Sequence, residues 1–397
     1  MLLLEVLIGA AALAILIPIL ILSAEVLAAS LSRDGQPQDM AARPRLGVVI
    51  PAHNEASGIG DALDCLIPQL QNGDRLLVVA DNCTDDTATI ASAAGAEVIE
   101  RNDSSHRGKG YALDLGMRHL AADPPAVVLI VDADCRVEEG SIDRLARVCA
   151  QTGRPVQALY LSHAPPGARL AMRVAEFAFV LKNRVRPLGL RSLGLPCQLM
   201  GTGMAFPWAC IAKATLATGH IVEDLKLGLE LAGAGYPPLF CPEAQVTSSF
   251  PASHEGFESQ RTRWEHGYLT VLVKDAPAVL LKSVHTLNRD LLALGLDVCV
   301  PPVALLTLLA AAVWIASAIF RAVTRVDLPL LIASAAVALL TLSVLSAWTR
   351  YGRQILSPGS LALAIAYALL KIPLYFRFLV ARQFEWVRTK RDEDRPR

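Results

Sequence analysis

None of the eight cysteines stands in a C-x-x-C pair. That argues against zinc and, in a chain of this length, against a disulfide framework; reduced thiols in a cytoplasm-facing protein are the expectation. No excess of either charge is present, with 37 Asp and Glu against 37 Lys and Arg, so no overall field draws the chain to nucleic acid. Charge is also scarce: charged residues make up 19% of the chain and hydrophobic ones 53%, with a mean hydropathy of +0.41. Soluble proteins carry more charge, so part of this chain is expected in lipid. No Lys or Arg precedes Arg33, whereas a cleaved signal peptide opens on basic residues.

The apolar residues are gathered in runs. Leu2 to Leu22 is interrupted only by Glu5, Gly9 and Pro18, and about 20 apolar residues span the ~30 Å hydrocarbon core. Residues 1–30 are therefore expected to be a retained anchor. Arg33, Arg43 and Arg45 follow it, so by the positive-inside rule the chain enters the cytoplasm there, as an integral protein of a bacterial-type inner membrane. Val298 to Phe320 and Leu328 to Trp348 are two further runs, separated by Arg321 to Asp327; they predict a transmembrane hairpin within residues 286–350. The run from Leu361 to Leu379 is broken by Lys371, Pro373 and Arg377. A lysine near a span centre costs about 2.5–3.5 kcal/mol, and a full crossing would carry the basic tail outside. Residues 351–397 are expected to form an interfacial or re-entrant segment followed by a basic cytoplasmic tail.

Between these lies a linker, 31–45, and a block, 46–285, that reads as one α/β domain. Apolar runs at Leu46–Pro51, Arg75–Asp81 and Ala126–Asp132 alternate with helical patterns at Asp61–Leu70, Asp85–Ala94 and Gly110–Leu120. That alternation predicts a mostly parallel sheet covered on both faces, and such sheets bind ligands beyond the carboxyl ends of their strands. Three polar loops fall there: Pro51-Ala52-His53-Asn54-Glu55, Asp81 to Thr87, and Asp132-Ala133-Asp134. Asp85 and Thr84 also suit plain helix capping. Acidic residues beside a nucleoside diphosphate need a cation between them, and Mg²⁺ or Mn²⁺ bridges carboxylate to phosphate. Arg107-Gly108-Lys109-Gly110 adds cations and small residues at a helix start, where anions are favoured; a solvated surface lysine is the plain alternative for Lys109.

Taken together, V-V-I-P-A-H-N-E (48–55), A-D-N-C-T-D-D-T (80–87), R-G-K-G (107–110), V-D-A-D (131–134), V-E-D (222–224) and Q-R-T-R-W (260–264) resemble the family-2 glycosyltransferases. The likeness is to the membrane-bound branch that includes cellulose, chitin and hyaluronan synthases and ceramide glucosyltransferase. The resemblance implies a GT-A (Rossmann-like) domain inserted between transmembrane helices, a UDP-sugar donor, and inversion at the anomeric centre. By motif, Asp81 would contact the uracil or ribose, Pro51, His53 and Glu55 would line the nucleoside pocket, and Lys109 would sit near the base. Asp132 and Asp134 resemble the D-x-D that holds diphosphate and metal. Asp224 resembles the catalytic base, with Glu223 as the alternative. Gln260, Arg263 and Trp264 resemble Q-x-x-R-W, which closes the site near diphosphate and acceptor.

Inversion is one displacement, with one base on the acceptor hydroxyl and a stabilised leaving group opposite; a retaining glycosidase would need two carboxylates ~5 Å apart. Arg263 offers a fork of donors for phosphate, and Trp264 a flat face for a sugar ring or for core packing. Gly201-Thr202-Gly203 looks like the floor of the site. Two departures from the family pattern stand out: Asn82 and Cys83 replace a usual glycine and serine, and Pro207-Trp208 stand where relatives often carry a basic residue. The stretch from Leu170 to Val185 is amphipathic and ringed by Arg169, Arg173, Lys182, Arg184 and Arg186, which suits an anionic lipid surface or packing on the domain. The acceptor is expected to be a growing polysaccharide or a lipid; a nucleotidyltransferase or a non-catalytic membrane subunit are the competing readings.

Overall fold

The computed structural model describes residues 2–32 and 42–380; most of the expected linker (33–41) and the basic tail from 381 onward lie outside the described residues. Helix α1 (Leu2–Leu31) carries the first apolar run. Strands β1 (Leu46–Ala52), β2 (Arg75–Asp81), β3 (Glu97–Arg101) and β4 (Val127–Ile130) then pair in parallel in the order β3-β2-β1-β4. Successive residues of a strand face opposite sides. Leu46, Val48, Ile50, Leu76 and Val78 pack with Ile59, Leu63 and Leu66 of α2 (Ile59–Leu66). Val49, Leu77, Val79, Val128 and Ile130 pack on the other face with Leu113 and Met117 of α4 (Lys109–Leu120). Both faces are buried, which is why these strands read as unbroken apolar runs. Between them, α3 (Thr87–Ala93) carries the second helical pattern.

The rest of the sheet departs from the parallel pattern. It adds β5 (Arg136–Val137), β6 (Val156–His163), β7 (Met204–Pro207) and β8 (Leu239–Ser249). β7 runs antiparallel to both β4 and β6, β8 lies parallel to β6, and β5 closes the edge antiparallel to β8. The eight-stranded sheet is therefore mixed, parallel in its first half as expected and largely antiparallel in its second. The later strands carry polar residues such as Gln157, Ser162 and Thr247, so no clean run marked them in the sequence.

The second half also supplies α5 (Ser141–Thr152), α6 (Leu170–Val180), a π turn (Leu181–Val185), α7 (Arg186–Ser192), α8 (Trp208–Ile211), α9 (Glu223–Gly233), α10 (His254–Lys274), α11 (Ala276–His285) and α12 (Arg289–Val298). The described residues close with α13 (Val303–Thr324), α14 (Leu328–Ala347), α15 (Pro358–Leu370) and α16 (Ile372–Val380). Among the described residues, Leu2–Leu31, Val303–Thr324, Leu328–Gly352 and Pro358–Val380 are long and apolar enough to cross a membrane.

The apolar helices pack directly on the domain. Ile19, Leu22 and Val26 of α1, Leu306 and Ala310 of α13, and Ala336 and Leu340 of α14 share one cluster with Leu159 and Leu161 of β6. Leu170, Val174, Phe177, Leu181 and Val185 join the same cluster. The amphipathic stretch is thus a packing face against the apolar helices, and its basic residues do not form one outward stripe. Arg186 is buried: its Nε donates to Glu25 of α1 at 2.7 Å, and its Nη2 reaches both the carboxylate and the carbonyl of Asp297 on α12. Gln198 donates to the second Asp297 oxygen at 2.6 Å, and the Tyr268 hydroxyl of α10 lies 2.9 Å from the Val300 carbonyl oxygen. This one hub joins α1, α7, α10, α12 and the start of α13. Arg186→Met would strand two buried carboxylates, so stability should fall by about 3–5 kcal/mol, read as the denaturation midpoint in detergent; an unchanged midpoint would mean the hub carries no stability.

Candidate active site

The carboxyl ends of β1, β2 and β4 bring the three polar loops together. Two residues at these ends hold left-handed backbone, Asn54 at φ 55° and Asn82 at φ 51°. Asparagine is one of the few residues besides glycine that tolerate this region, which accounts for Asn82 in place of the usual glycine. Cys83 takes a small hydrogen-bonding role in the same turn, accepting from the Asn54 amide at 3.4 Å and donating to the Ala52 carbonyl at 3.5 Å. Asp85 stands one residue before the N-cap of α3, Asp86, and closes the turn: its Oδ1 accepts from the Thr87 amide at 3.1 Å, and its Oδ2 from the Ala56 amide at 3.0 Å. The Glu55 amide donates to Thr87 Oγ1 at 2.8 Å, binding the first loop to the second. Pro51 is half-buried in β1 opposite Val79.

Asp81 ends β2 and is buried. Its register partner on β3 is Arg101, whose guanidinium donates to Asp81 Oδ1 at 2.7 Å. His53 Nδ1 donates to the Asp81 carbonyl at 2.6 Å. Burial raises the Asp81 pKa, and Arg101 opposes the shift. Arg101 also lies over the Tyr111 ring, 5.2 Å from its centroid. The sequence reading missed Arg101 because β3 was not read as a strand.

Lys109 is the centre of the site. Its ammonium donates to the Gly201 carbonyl at 2.6 Å, pairs with Asp132, and stands 4.0 Å from Glu223 Oε1. It therefore sits among the acids of D-x-D and V-E-D. The physical reason is charge: three carboxylates gathered in one cleft need a cation among them. Burial works against its charge, yet Asp132, Glu223 and Asp224 hold its pKa above the ordinary lysine value. The glycines around it serve packing: a Cβ on Gly110 would lie 2.3 Å from the Leu216 carbonyl oxygen, so the 212–222 loop lies close against this helix start.

The floor is built by Gly201 and Thr202. Gly201 has φ +91°, and a Cβ there would lie 3.2 Å from Asp224 Oδ2. Thr202 is fully buried, and its hydroxyl accepts from the Asp132 amide at 3.1 Å. Gln157, buried on β6, donates to the Thr202 carbonyl at 2.9 Å and accepts from Met200 at 2.8 Å; a lone glutamine in a strand gave no signal in the sequence. Asp132, Asp134 and Cys135 place one ligand atom each within 4.8 Å of one another. Two carboxylates in that set suit Mg²⁺ or Mn²⁺. A cavity of about 310 Å³ adjoins Asp134, lined by Cys135, Arg136, His163 and Ser248 among others.

Glu223 and Asp224 open α9, where the helix dipole favours acids. Burial raises both pKa values. For Glu223, burial and then the neighbouring Asp224 push it up to about 7. For Asp224, Lys109, the Leu225 amide and Lys182 oppose the rise. α10 begins at Ser253, whose hydroxyl accepts from the Gly256 amide. A Cβ on Gly267 would lie 2.6 Å from Val222, so that glycine lets the Q-x-x-R-W helix close on V-E-D. Burial lowers the Arg263 pKa, against the electrostatic pull of Glu223, Asp132 and Asp134. Gln260 is half-buried one turn earlier. Trp264 packs with Phe179 and Phe250 at centroid distances of 5.7 and 6.5 Å, an aromatic cluster that holds the wall.

The family pattern "Glycosyltransferase like family 2" matches residues 44–267, more than half of the chain. An uncharacterised glycosyltransferase of Mycobacterium tuberculosis is 29% identical over 201 residues, covering 47% of this chain and 86% of the relative. Glucosyl-3-phosphoglycerate synthase of Mycolicibacterium paratuberculosis is 40% identical over 96 residues, 22% of this chain and 28% of that protein. The fold is similar to that of a mannosyltransferase from Pyrobaculum calidifontis solved with GDP-Man and Mn²⁺, at TM-score 0.53 and 17% identity, covering 95% of this chain and all of that one.

The raised Glu223 pKa fixes a sign for stability. The folded state holds this proton more tightly than the unfolded chain, so the contribution is complete below the ordinary 4.5 and is lost as pH rises to about 7. Glu223→Gln should flatten that loss in melting curves taken across the interval; a variant with the wild-type slope would contradict the assignment. On the motifs, their geometry and the family match together, the chain belongs to glycosyltransferase family 2.

Proposed function

We propose that the protein is a membrane-bound, inverting glycosyltransferase of the synthase-like branch, a hexosyltransferase that moves a sugar from a UDP-sugar to a membrane-proximal acceptor. The observation that carries this reading is the junction at Lys109, which joins the D-x-D acid Asp132 to Glu223 and Asp224 across one ammonium. Donor and acceptor chemistry would then meet at one point. A nucleotidyltransferase has no use for the base pair on α9 or for Arg263 facing it.

In this reading Asp132 and Asp134 would hold a divalent cation, with Cys135 beside them. When bound, that cation would offset charge on the departing diphosphate. The Pyrobaculum protein of similar fold was solved with GDP-Man and Mn²⁺, which favours a nucleoside diphosphate sugar and such a cation here. Pro51, His53, Glu55 and Asp81 would line the nucleoside end. Asp224 would take the acceptor hydroxyl proton as the acceptor oxygen bonds to the anomeric carbon and the bond to diphosphate breaks; no protein nucleophile is used. Its carboxylate lies against the open face of Gly201, beside Glu223, whose pKa burial pushes up to about 7. Arg263 would meet the diphosphate, and Gln260 and Trp264 would border the acceptor side.

The acceptor class follows from packing. The apolar helices lie directly on β6 and α6, so an acceptor reaching the site would come from the membrane side, as a lipid or a growing polysaccharide. Arg43 and Arg45, close behind α1, favour the cytoplasmic side for the domain. The direct measurement is UDP release by the protein in lipid with a panel of UDP-sugars. Release should need Mg²⁺ or Mn²⁺ and stop with chelator. Asp224→Asn should lower kcat by about 10²- to 10⁴-fold while donor binding persists. Release that ignores chelator, or an Asp224→Asn variant at full rate, would sink this mechanism.

A further inference from the structure

The segment Pro358–Val380 is apolar enough to cross a membrane, but its neighbours place both of its ends on one side. α13 begins beside α10, where the Tyr268 hydroxyl meets the Val300 carbonyl. α13 and α14 then form a hairpin whose turn is held by the Arg321–Asp327 pair. α14 therefore returns toward the domain, and its end is fixed there. Arg350 donates to the Ser30 carbonyl at the end of α1, and a Cβ on Gly352 would lie 2.6 Å from the Phe177 ring of α6. Trp348 Nε1 donates to the Leu356 carbonyl at 3.0 Å, so α15 also starts at this level. Its N-cap is Ser357, whose hydroxyl accepts from the Ser360 amide.

The far end comes back to the same helix. Tyr367 hydrogen-bonds Arg261, and Lys371 Nζ donates to Glu265 Oε1 at 2.5 Å. His266 Nε2 donates to the Leu374 carbonyl at 3.2 Å, and the His266 and Phe378 rings stand 5.5 Å apart. Residues 367, 371, 374 and 378 recur at helical spacing and form one face. All four touch α10 between Arg261 and His266, the stretch that contains Arg263 and Trp264. A helix crossing from Pro358 would carry Phe378 about 30 Å away at 1.5 Å per residue, out of reach of α10. The opposite face is apolar and exposed: Leu369, Phe376 and Val380 recur at helical spacing and are each more than half exposed.

We propose that residues 358–380 lie in the plane of the cytoplasmic leaflet, with Leu369, Phe376 and Val380 in lipid. On their inner face Tyr367, Lys371 and Phe378 clasp the Q-x-x-R-W helix. The lipid surface is the partner because the exposed face continues from α13, which α15 contacts, and from α14, and because Lys371, the charge that breaks the run, is turned inward onto Glu265. Tyr367, Lys371 and Glu265 are positioning residues: they hold α10, and α10 holds Arg263 against the acids.

The orientation test does not depend on activity. The full chain would carry either green fluorescent protein, fluorescent only on the cytoplasmic side, or alkaline phosphatase, active only outside, at its C-terminus or inserted after Arg325. The C-terminal fusions should be fluorescent and phosphatase-inactive, and the insertions the reverse. Phosphatase activity at the C-terminus would overturn the proposal. Cytoplasmic reporters at both places would remove the membrane hairpin on which it rests, while leaving the transfer chemistry intact. The clasp itself, which rests on the proposed function, is read by kinetics. Lys371→Met should lower kcat by about 10- to 100-fold with the donor KM unchanged. The exchange Glu265→Lys with Lys371→Glu should restore much of it. Equal losses in kcat/KM and donor binding, with no recovery in the exchange, would make Lys371 a fold residue only and overturn the clasp.

Discussion

The site depends on one buried ammonium. Asp132 and the adjacent pair Glu223–Asp224 come from two distant parts of the chain, and in a cleft of low polarity like charges so close would raise one another's pKa until they took up protons. Lys109 offsets that repulsion. It also fixes the Gly201 carbonyl, so the floor, Asp132 and the Glu223–Asp224 pair are set by a single group. The glycines at 110 and 201 follow from this crowding, because each stands where a Cβ would press on a neighbour.

A second charged centre ties that site to the apolar helices. Asp297 receives Arg186, Gln198 and, through the adjacent carbonyls, Tyr268. Gln198 lies just before the floor loop, and Tyr268 lies five residues after Arg263 on α10. A buried ion pair adds little net stability over an apolar contact, but its geometry is demanding and its rupture is costly. Placed where α1, α7, α10 and α12 meet, it fixes the register between the helices in the proposed membrane region and the catalytic floor.

The substitutions that set this chain apart from its family are conservative in physical terms. Asn82 keeps the left-handed turn that a glycine would hold, and Cys83 keeps a small side chain with a donor and an acceptor. Trp264 keeps an aromatic wall, although its ring is committed to Phe179 and Phe250. The motif therefore serves packing of the wall at least as much as contact with a sugar.

The local order of the sequence determined strands β1, β2 and β4, the three polar loops, the D-x-D and V-E-D acids and the apolar helices, because each is a short-range pattern: an unbroken buried strand, a run of lipid-compatible residues, a motif after a strand. Tertiary structure alone decided what lies across from what. Arg101 reaches Asp81 only through the β2–β3 register, Gln157 reaches Thr202 only through the turn into β7, and Lys109 reaches Asp132 and Glu223 from an interval of sequence that no periodicity spans. The same holds for Lys371: along the chain it is a charge interrupting an apolar run, and only the fold brings Glu265 to it. Pairing between distant segments depends on which elements pack side by side, and that is a property of the whole core.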